Sequence, residues 1–193
     1  MKEVRYFETD LSIEKRDDDK RSIVGHGAVF NSLSENLGGF RELIDPGAFD
    51  DVLNDDVRAL FNHNSDLILG RTKSNTLKLK VDDKGLHYDI DPPETTYARD
   101  LLTSLERGDI TQSSFSFNVD VDSWDEDADG RVIRTIKKIK RLYDVSPVTF
   151  PAYPEADVDV AKRGYEDFMK SKTPTIDPEE ERINKKFKDH KFI

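Results

Sequence analysis

The segment TLKLKVDDKGLHYDID, residues 76–91, constrains the fold of this chain more than any other stretch. Apolar residues alternate with polar ones on both sides of the turn residues 82–85: Leu77, Leu79, Val81, Leu86, Tyr88 and Ile90. A period of two places these side chains on one face of a strand, and a short break containing Asp and Gly is typical of a β-hairpin. The segment therefore predicts two paired strands that bury one face.

Several other segments predict further strands. Apolar alternation recurs in SIVGHGAVFNS (22–32), in VRALFNHNSDLILG (57–70) and in GDITQSSFSFNVDV (108–121). The segment VIRTIKKIKRLYDVSPVTFPAYP (132–154) predicts one or two further strands. Six or seven strands result, with two helices between or beside them. We therefore expect a mainly β fold with helices (α+β), built as a closed or nearly closed small β-barrel.

Two segments predict helices. Residues 92–109 begin with Thr95 or Thr96 as a cap and end at Gly108, which is typical of a helix C-terminus. Its apolar stripe consists of Ala98, Leu101, Leu102 and Leu105. The segment LIDPGAFDDVLN (43–54) offers Asp45 as an N-cap and Pro46 at the first helical position, and predicts a short helix.

Composition suggests one domain with appendages at both ends. The chain has 193 residues, of which 36% are charged and 35% hydrophobic, so it can form a core and still carry polar segments outside it. We predict an N-terminal strand or extension over 1–21, a domain over 22–163 and a charged tail over 164–193. The tail could form an exposed helix over 179–191, and its lysines suit an acidic partner surface.

Charge and apolar runs exclude several classes of partner. A net charge of −10 argues against nucleic acid, because phosphate contacts need Lys and Arg. There is no cysteine, signal peptide or apolar run near 18 residues. We expect a soluble cytoplasmic protein without membrane or nucleic-acid partners.

No metal or cofactor site is predicted. Asp125, Asp127, Asp129 and Gly130 imitate the start of a calcium loop, but the twelfth position, which needs a carboxylate, is Ile136. We expect a solvated acidic hairpin there. The histidines are too widely spaced for a metal cluster, and phosphate-binding and dinucleotide motifs are missing. The four are His26, His63, His87 and His190.

The serines of TQSSFSF, residues 111–117, are the strongest candidates for chemistry. Strand parity places Phe115 and Phe117 on one face and Ser114 and Ser116 on the other, while Ser113 shares the phenylalanine face. A wet strand surface is the simplest interpretation. A serine becomes a nucleophile when an imidazole accepts its proton and a carboxylate orients that imidazole. The chain offers Ser114, His63 and Asp144 for these roles.

The order of several blocks resembles one protein family. The blocks are GHGAVFN, ELIDPGAF, VRALFNHN with ILGRT, DDKGLHYDID, RGDITQSSFSFNV and LYDVSPVTFPAYPEA, which run from about residue 22 to 161. In this order they are similar to the prohead proteases of tailed bacteriophages with HK97-like capsids, distant relatives of herpesvirus assemblin. The resemblance implies an assemblin-like β-barrel flanked by helices.

The resemblance also implies an activity. Such a protein is a serine endopeptidase that removes the scaffolding segment of the major capsid protein and cuts itself, enclosed in the procapsid in the bacterial cytoplasm. Its partners would be the capsid protein and further copies of itself, and either end of the chain would be a candidate for self-cleavage. By motif, the nucleophile falls on Ser114, the histidine on His63 and the acid on Asp144, with no cofactor.

This chain departs from the family pattern in two places. Ser116 stands where a glycine is usual, so that Ser113 and Ser116 remain alternative nucleophiles. Asp144 stands where Glu is frequent, and the shorter side chain must approach His63 more closely or act through water. Oxyanion donors could come from the backbone near Arg141 or in the loop 62–66. The alternatives to a protease are a non-enzymatic β-barrel scaffold or binding module of the assembling capsid, and an esterase-like hydrolase.

Overall fold

The strands form two sheets in the computed structural model, which describes residues 2–16, 20–150 and 159–172. Within these residues there are ten strands: β1 (Glu3–Glu8), β2 (Ser12–Lys15), β3 (Arg21–Val29), β4 (Phe40–Ile44), β5 (Arg58–Phe61), β6 (Asn64–Arg71), β7 (Leu77–Val81), β8 (Gly85–Ile90), β9 (Gln112–Glu126) and β10 (Val132–Val148). The helices are α1 (Thr96–Arg107), α2 (Asp159–Lys172) and two 3-10 helices, Pro46–Phe49 and Thr72–Ser74. None of the described helices is long and apolar enough to cross a membrane.

The larger sheet has the order β1-β9-β10-β5-β6, and β4 also pairs with β10. The smaller sheet has the order β2-β3-β8-β7. The mainly β, α+β class is confirmed, but neither sheet closes on itself among the described residues, so a closed barrel is not confirmed. The predicted count of six or seven strands was too low: β4 was not predicted, and the segment 57–70 holds two strands, β5 and β6, joined by a two-residue turn.

The hairpin predicted over 76–91 is present as β7 and β8. Leu77 pairs with Ile90 and Leu79 with Tyr88, which keeps the predicted apolar face together. Gly85 begins β8 where a Cβ atom would lie only 1.9 Å from the carbonyl oxygen of Ala28, so this glycine is needed for a close approach of two backbones.

Both predicted helices form, with one difference. In α1 the stripe Ala98, Leu101, Leu102 and Leu105 is buried, and Gly108 ends the helix with a φ of 78°. Asp45 caps the second segment by accepting a hydrogen bond from the Gly47 amide, but the helix is a 3-10 helix of four residues. Beyond Phe49 the chain continues in turns.

The N-terminal strand belongs to the larger sheet. β1 pairs antiparallel with β9 from Glu3 to Glu8, and Glu3 and Arg5 are buried. Arg5 donates bidentate hydrogen bonds to Glu42 of β4 and a further hydrogen bond to Glu3. Arg134 of β10 donates to Glu3 at 2.8 Å. This buried ion network joins β1, β4 and β10.

Helix α2 packs on the far end of the long β9–β10 hairpin. Trp124 of β9 lies against Tyr165 and Phe168, with ring centroids 6.3 Å apart in both pairs. The helix runs through residue 164, where the sequence suggested that the tail begins. The helix predicted over 179–191 lies outside the described residues.

Disruption of the ion network is expected to destabilise the fold. Replacing Arg5 with Ala leaves the buried carboxylate of Glu42 without its main partner and takes one of its arginine partners from Glu3, a change that typically costs about 3 kcal/mol or more. Urea unfolding should show this loss in the free energy of unfolding. Arg21→Ala, which removes a partly exposed pair with Glu106, serves as the control and should cost much less. Equal losses in both variants would contradict the prediction.

Candidate active site

The serines of β9 are buried. Ser113, Ser114 and Ser116 are at most 1% exposed, so they do not form the wet strand face that was the simplest interpretation. Phe115 and Phe117 point into the core with their rings stacked 4.5 Å apart. The period of two that was predicted from the sequence is therefore present, with Ser114 and Ser116 on the face opposite the phenylalanines.

Ser113 is a core residue. Its hydroxyl lies 2.5 Å from the hydroxyl of Tyr88, and both residues are fully buried. Burial raises the pKa of Tyr88 well above its ordinary value. Ser113 is thus occupied on the phenylalanine side of the strand and separated from Ser114 by the sheet itself.

His63 lies in the tight turn between β5 and β6. Phe61 pairs with Asn64, so Asn62 and His63 are the two turn residues, and their φ angles are 54° and 56°. Two consecutive positive φ values are the signature of a type I′ turn, which usually takes Asn-Gly. A histidine in the second position carries backbone strain, and such strain is found where function requires a side chain.

Asn62 attaches this turn to the end of β10. Its amide N–H donates to the Pro147 carbonyl at 3.0 Å, and its side chain exchanges hydrogen bonds with Thr149. Because the turn is fixed against β10, the imidazole of His63 is directed over the neighbouring strands. The N–H groups of Asn62 and Asp66 already have acceptors inside the protein, which removes two of the predicted oxyanion donors from the loop 62–66.

Asp144 lies on β10, directly opposite Ser116 of β9. A register shift between Leu142 and Asp144 interrupts the ladder, and bulges of this kind redirect side chains next to active sites. The Asp144 side chain is 4% exposed. Its carboxylate accepts hydrogen bonds from Ser116 and, at 3.0 Å, from Ser146.

The ionised form of Asp144 is favoured by its neighbours. Burial acts to raise the pKa of this carboxyl, because it disfavours the charged form. The hydrogen bond and charge of His63 act in the opposite direction and, together with Ser116 and Lys2, hold the pKa below its ordinary value. The site therefore keeps a carboxylate, not a carboxylic acid, beside the imidazole at neutral pH.

His63 connects the other two candidates. Its Nε2 lies 2.6 Å from Ser114 Oγ, and its Nδ1 is hydrogen-bonded directly to Asp144 Oδ1. The direct bond shows that the shorter acidic side chain reaches the imidazole without a bridging water. The structure therefore brings together all three residues that the sequence suggested, although they come from β5–β6, β9 and β10.

The arrangement has the chemistry of an activated nucleophile. With Nδ1 protonated and bound to Asp144, the lone pair of Nε2 is free to take the Ser114 proton. Ser114 Oγ also lies 2.9 Å from the Arg5 carbonyl, a second acceptor for the same proton. Arg5 and Ser146 were missed at the sequence level. Ser146 could have been found, because a residue two positions after Asp144 shares its strand face.

The remaining histidines within the described residues lie elsewhere. His26 bonds to Asp82 at 3.0 Å and packs edge-on against His87. No group of three or more metal-ligating side chains occurs in the described residues. Asp127 accepts hydrogen bonds from the Asp129 and Arg131 amides and so closes the acidic hairpin turn. His190 lies outside the described residues.

Comparisons with known proteins give one family and one structural neighbour. The model of the family described as caudovirus prohead serine protease matches residues 9–171. The structure of the bacteriophage T4 capsid assembly protease, gp21, is similar at 12% identity and a TM-score of 0.45, and the match covers 76% of this chain and 98% of that one. No curated protein matches the sequence significantly.

The strain at His63 can be measured with a matched pair of variants. His63→Gly and His63→Ala both remove the imidazole. Only the alanine is strained by the positive φ, at a cost of about 1 kcal/mol in folding free energy. We expect the glycine variant to be more stable than the alanine variant by roughly that amount in chemical denaturation. Equal stability, or a more stable alanine variant, would show that the turn is unstrained.

Ser113 has a structural prediction of its own. Ser113→Ala leaves the buried Tyr88 hydroxyl without its partner, and an unsatisfied buried hydroxyl costs about 1–3 kcal/mol. The double variant Ser113→Ala/Tyr88→Phe removes both hydroxyls and should regain part of that loss. Thermal unfolding of the two variants provides the comparison. A double variant less stable than the single one would refute the proposed pairing.

Proposed function

Because this chain belongs to the caudovirus prohead serine protease family, we propose that Ser114, His63 and Asp144 carry out its peptide-bond hydrolysis. The single observation that supports this assignment best is the position of His63, whose two ring nitrogens meet Ser114 Oγ and Asp144 Oδ1. Burial of Ser114 and Asp144 adds support, because buried polar groups in a hydrogen-bonded network hold a defined geometry.

The reaction follows from these contacts. Nε2 of His63 accepts the proton of Ser114 while Oγ attacks the scissile carbonyl carbon, and the carbonyl oxygen becomes an oxyanion. Asp144 stabilises the imidazolium that forms. The imidazolium gives its proton to the leaving amine, and an acyl-enzyme on Ser114 remains. Water, deprotonated by His63, then releases the new carboxylate and restores Ser114.

The substrate that we propose is the major capsid protein. Family membership supports a protease of capsid maturation, which acts inside the prohead. We propose that this chain removes the scaffolding segment of that protein and cleaves itself. Among the two ends, we expect self-cleavage beyond residue 172, because β1 is fixed to β9 and carries the buried Glu3 and Arg5.

The assignment of Ser114 is tested by intact mass spectrometry. Purified wild type and Ser114→Ala are incubated alone and with the major capsid protein of the same phage. We expect wild type to truncate the capsid protein and itself, and the alanine variant to leave both intact, since removal of a triad nucleophile lowers the rate by several orders of magnitude.

Ser113→Ala is the matched control, because it removes the neighbouring hydroxyl and leaves Ser114 in place. We expect it to cleave at the same sites as wild type. Cleavage by Ser114→Ala and its loss in Ser113→Ala would transfer the nucleophile to Ser113. Absence of cleavage by every variant, even in assembled shells, would favour the non-enzymatic scaffold module.

A further inference from the structure

Two buried serine hydroxyls hold the carboxylate of Asp144. Ser116 Oγ donates to Oδ2, and Ser146 Oγ donates to Oδ1 at 3.0 Å. Both serines are 0% exposed, one on β9 and the other on β10. Both hydroxyls are therefore closed to solvent and bound to the carboxylate of Asp144.

The strand register explains why Ser116 meets Asp144. The two residues are direct partners in the β9–β10 ladder, and such cross-strand side chains have Cβ atoms about 5 Å apart. An ionised carboxylate only accepts hydrogen bonds, so the hydroxyl must act as the donor. Within the described residues, Lys2 Nζ also lies 3.4 Å from Oδ2, on a side chain that is half exposed.

The two oxygens of the Asp144 carboxylate have different partners, and this difference fixes the orientation of the carboxylate. Oδ2 faces Ser116, and Oδ1 faces His63 Nδ1. Without a donor on β9, the carboxylate could rotate about its Cβ–Cγ bond, and the short Asp side chain would leave His63 less firmly oriented. The hydrogen bonds of the His63 ring go to Ser114, Asp144 and Ser146, which leaves Ser116 outside the proton transfer.

We propose that Ser116 is a positioning residue, whose hydroxyl holds Oδ2 of Asp144 so that Oδ1 stays on His63 Nδ1. This inference rests on the proposed function of the three residues. It gives Ser116 a role other than that of an alternative nucleophile: its proton is committed to Asp144.

The test uses a fluorophosphonate probe, because reaction with it needs an activated serine but no knowledge of the cleavage site. Ser114 Oγ forms a bond to phosphorus, fluoride leaves, and His63 accepts the serine proton. The maximal rate of inactivation and the apparent probe affinity are measured separately. In parallel, NMR follows the downfield resonance of the His63 Nδ1 proton, which reports on the bond to Asp144.

Ser116→Ala should lower the maximal rate roughly 10-fold to 100-fold, the size expected when a catalytic group is slightly misplaced. The probe affinity should stay unchanged, since Ser116 is buried. The Nδ1 resonance should move upfield or broaden. Ser116→Gly provides a second variant without a hydroxyl, and Ser116→Thr should retain more of the rate because it keeps the donor. Ser113→Ala is the control, which should leave the maximal rate, the probe affinity and the Nδ1 resonance unchanged.

A double-mutant cycle separates positioning from a general structural effect. In an Asp144→Asn background, Ser116→Ala should cause no further loss of rate, because the carboxylate that it orients is already gone. A full additional loss in that background would overturn the proposal, as would an unchanged rate together with an unchanged Nδ1 resonance in Ser116→Ala.

Failure of the proposed function gives a different result. Either wild type would then fail to react with the probe, or Ser114→Ala would react with it as fast as wild type does. In that case the resonance decides alone: a shift in Ser116→Ala supports the positioning role, and a constant resonance overturns it.

Discussion

The pairing of β9 with β10 is the constraint on which the site depends. Its register places Ser114 opposite Ser146 and Ser116 opposite Asp144, so that the proposed nucleophile, the proposed acid and the hydroxyls of Ser116 and Ser146 share one face of one ladder. The other face of β9 supplies Phe115 and Phe117 to the core. A slip of one residue would exchange the two faces, and the core therefore fixes the register that the proposed chemistry requires.

The opposite side of β9 is secured by β1. Tyr6 pairs with Ser114, and the carbonyl oxygen of Arg5 lies 2.9 Å from the hydroxyl of the same serine. The guanidinium of Arg5 is anchored in the buried ion network with Glu42, which ties β1 to β4 and, through Arg134, to β10. A buried network of this kind adds little net stability but fixes one arrangement of strands, because any other would leave charges unpaired.

Local patterns predicted what depends on neighbouring residues. Strand parity separated Ser114 from Ser113, and the stripe of α1 and its stop at Gly108 were predicted from periodicity and from glycine's tolerance of positive φ. Long-range pairing was not predictable in the same way. The partners of β1 and β4, and the parallel contacts of β4 and β5 with β10, join segments far apart in the sequence. A count of strands does not determine their order or whether a sheet closes. For that reason the sequence could not establish the closed barrel, and the structure does not confirm it.

Two features of the site lower the stability of the folded protein, and the rest of the fold must offset both. His63 occupies a turn position that favours glycine, and Asp144 is a charge buried between strands. Hydrogen bonds from Asn62 to the end of β10 hold the strained turn, while Ser116, Ser146 and His63 stabilise the buried charge. The groups that offset the strain of the turn and the desolvation of Asp144 lie on β10, directly after it or opposite it. Both unfavourable contributions to the free energy of folding therefore depend on the β9–β10 pair and its neighbours. The geometry between Ser114 and His63 is therefore a property of the assembled sheet, which no single segment contains.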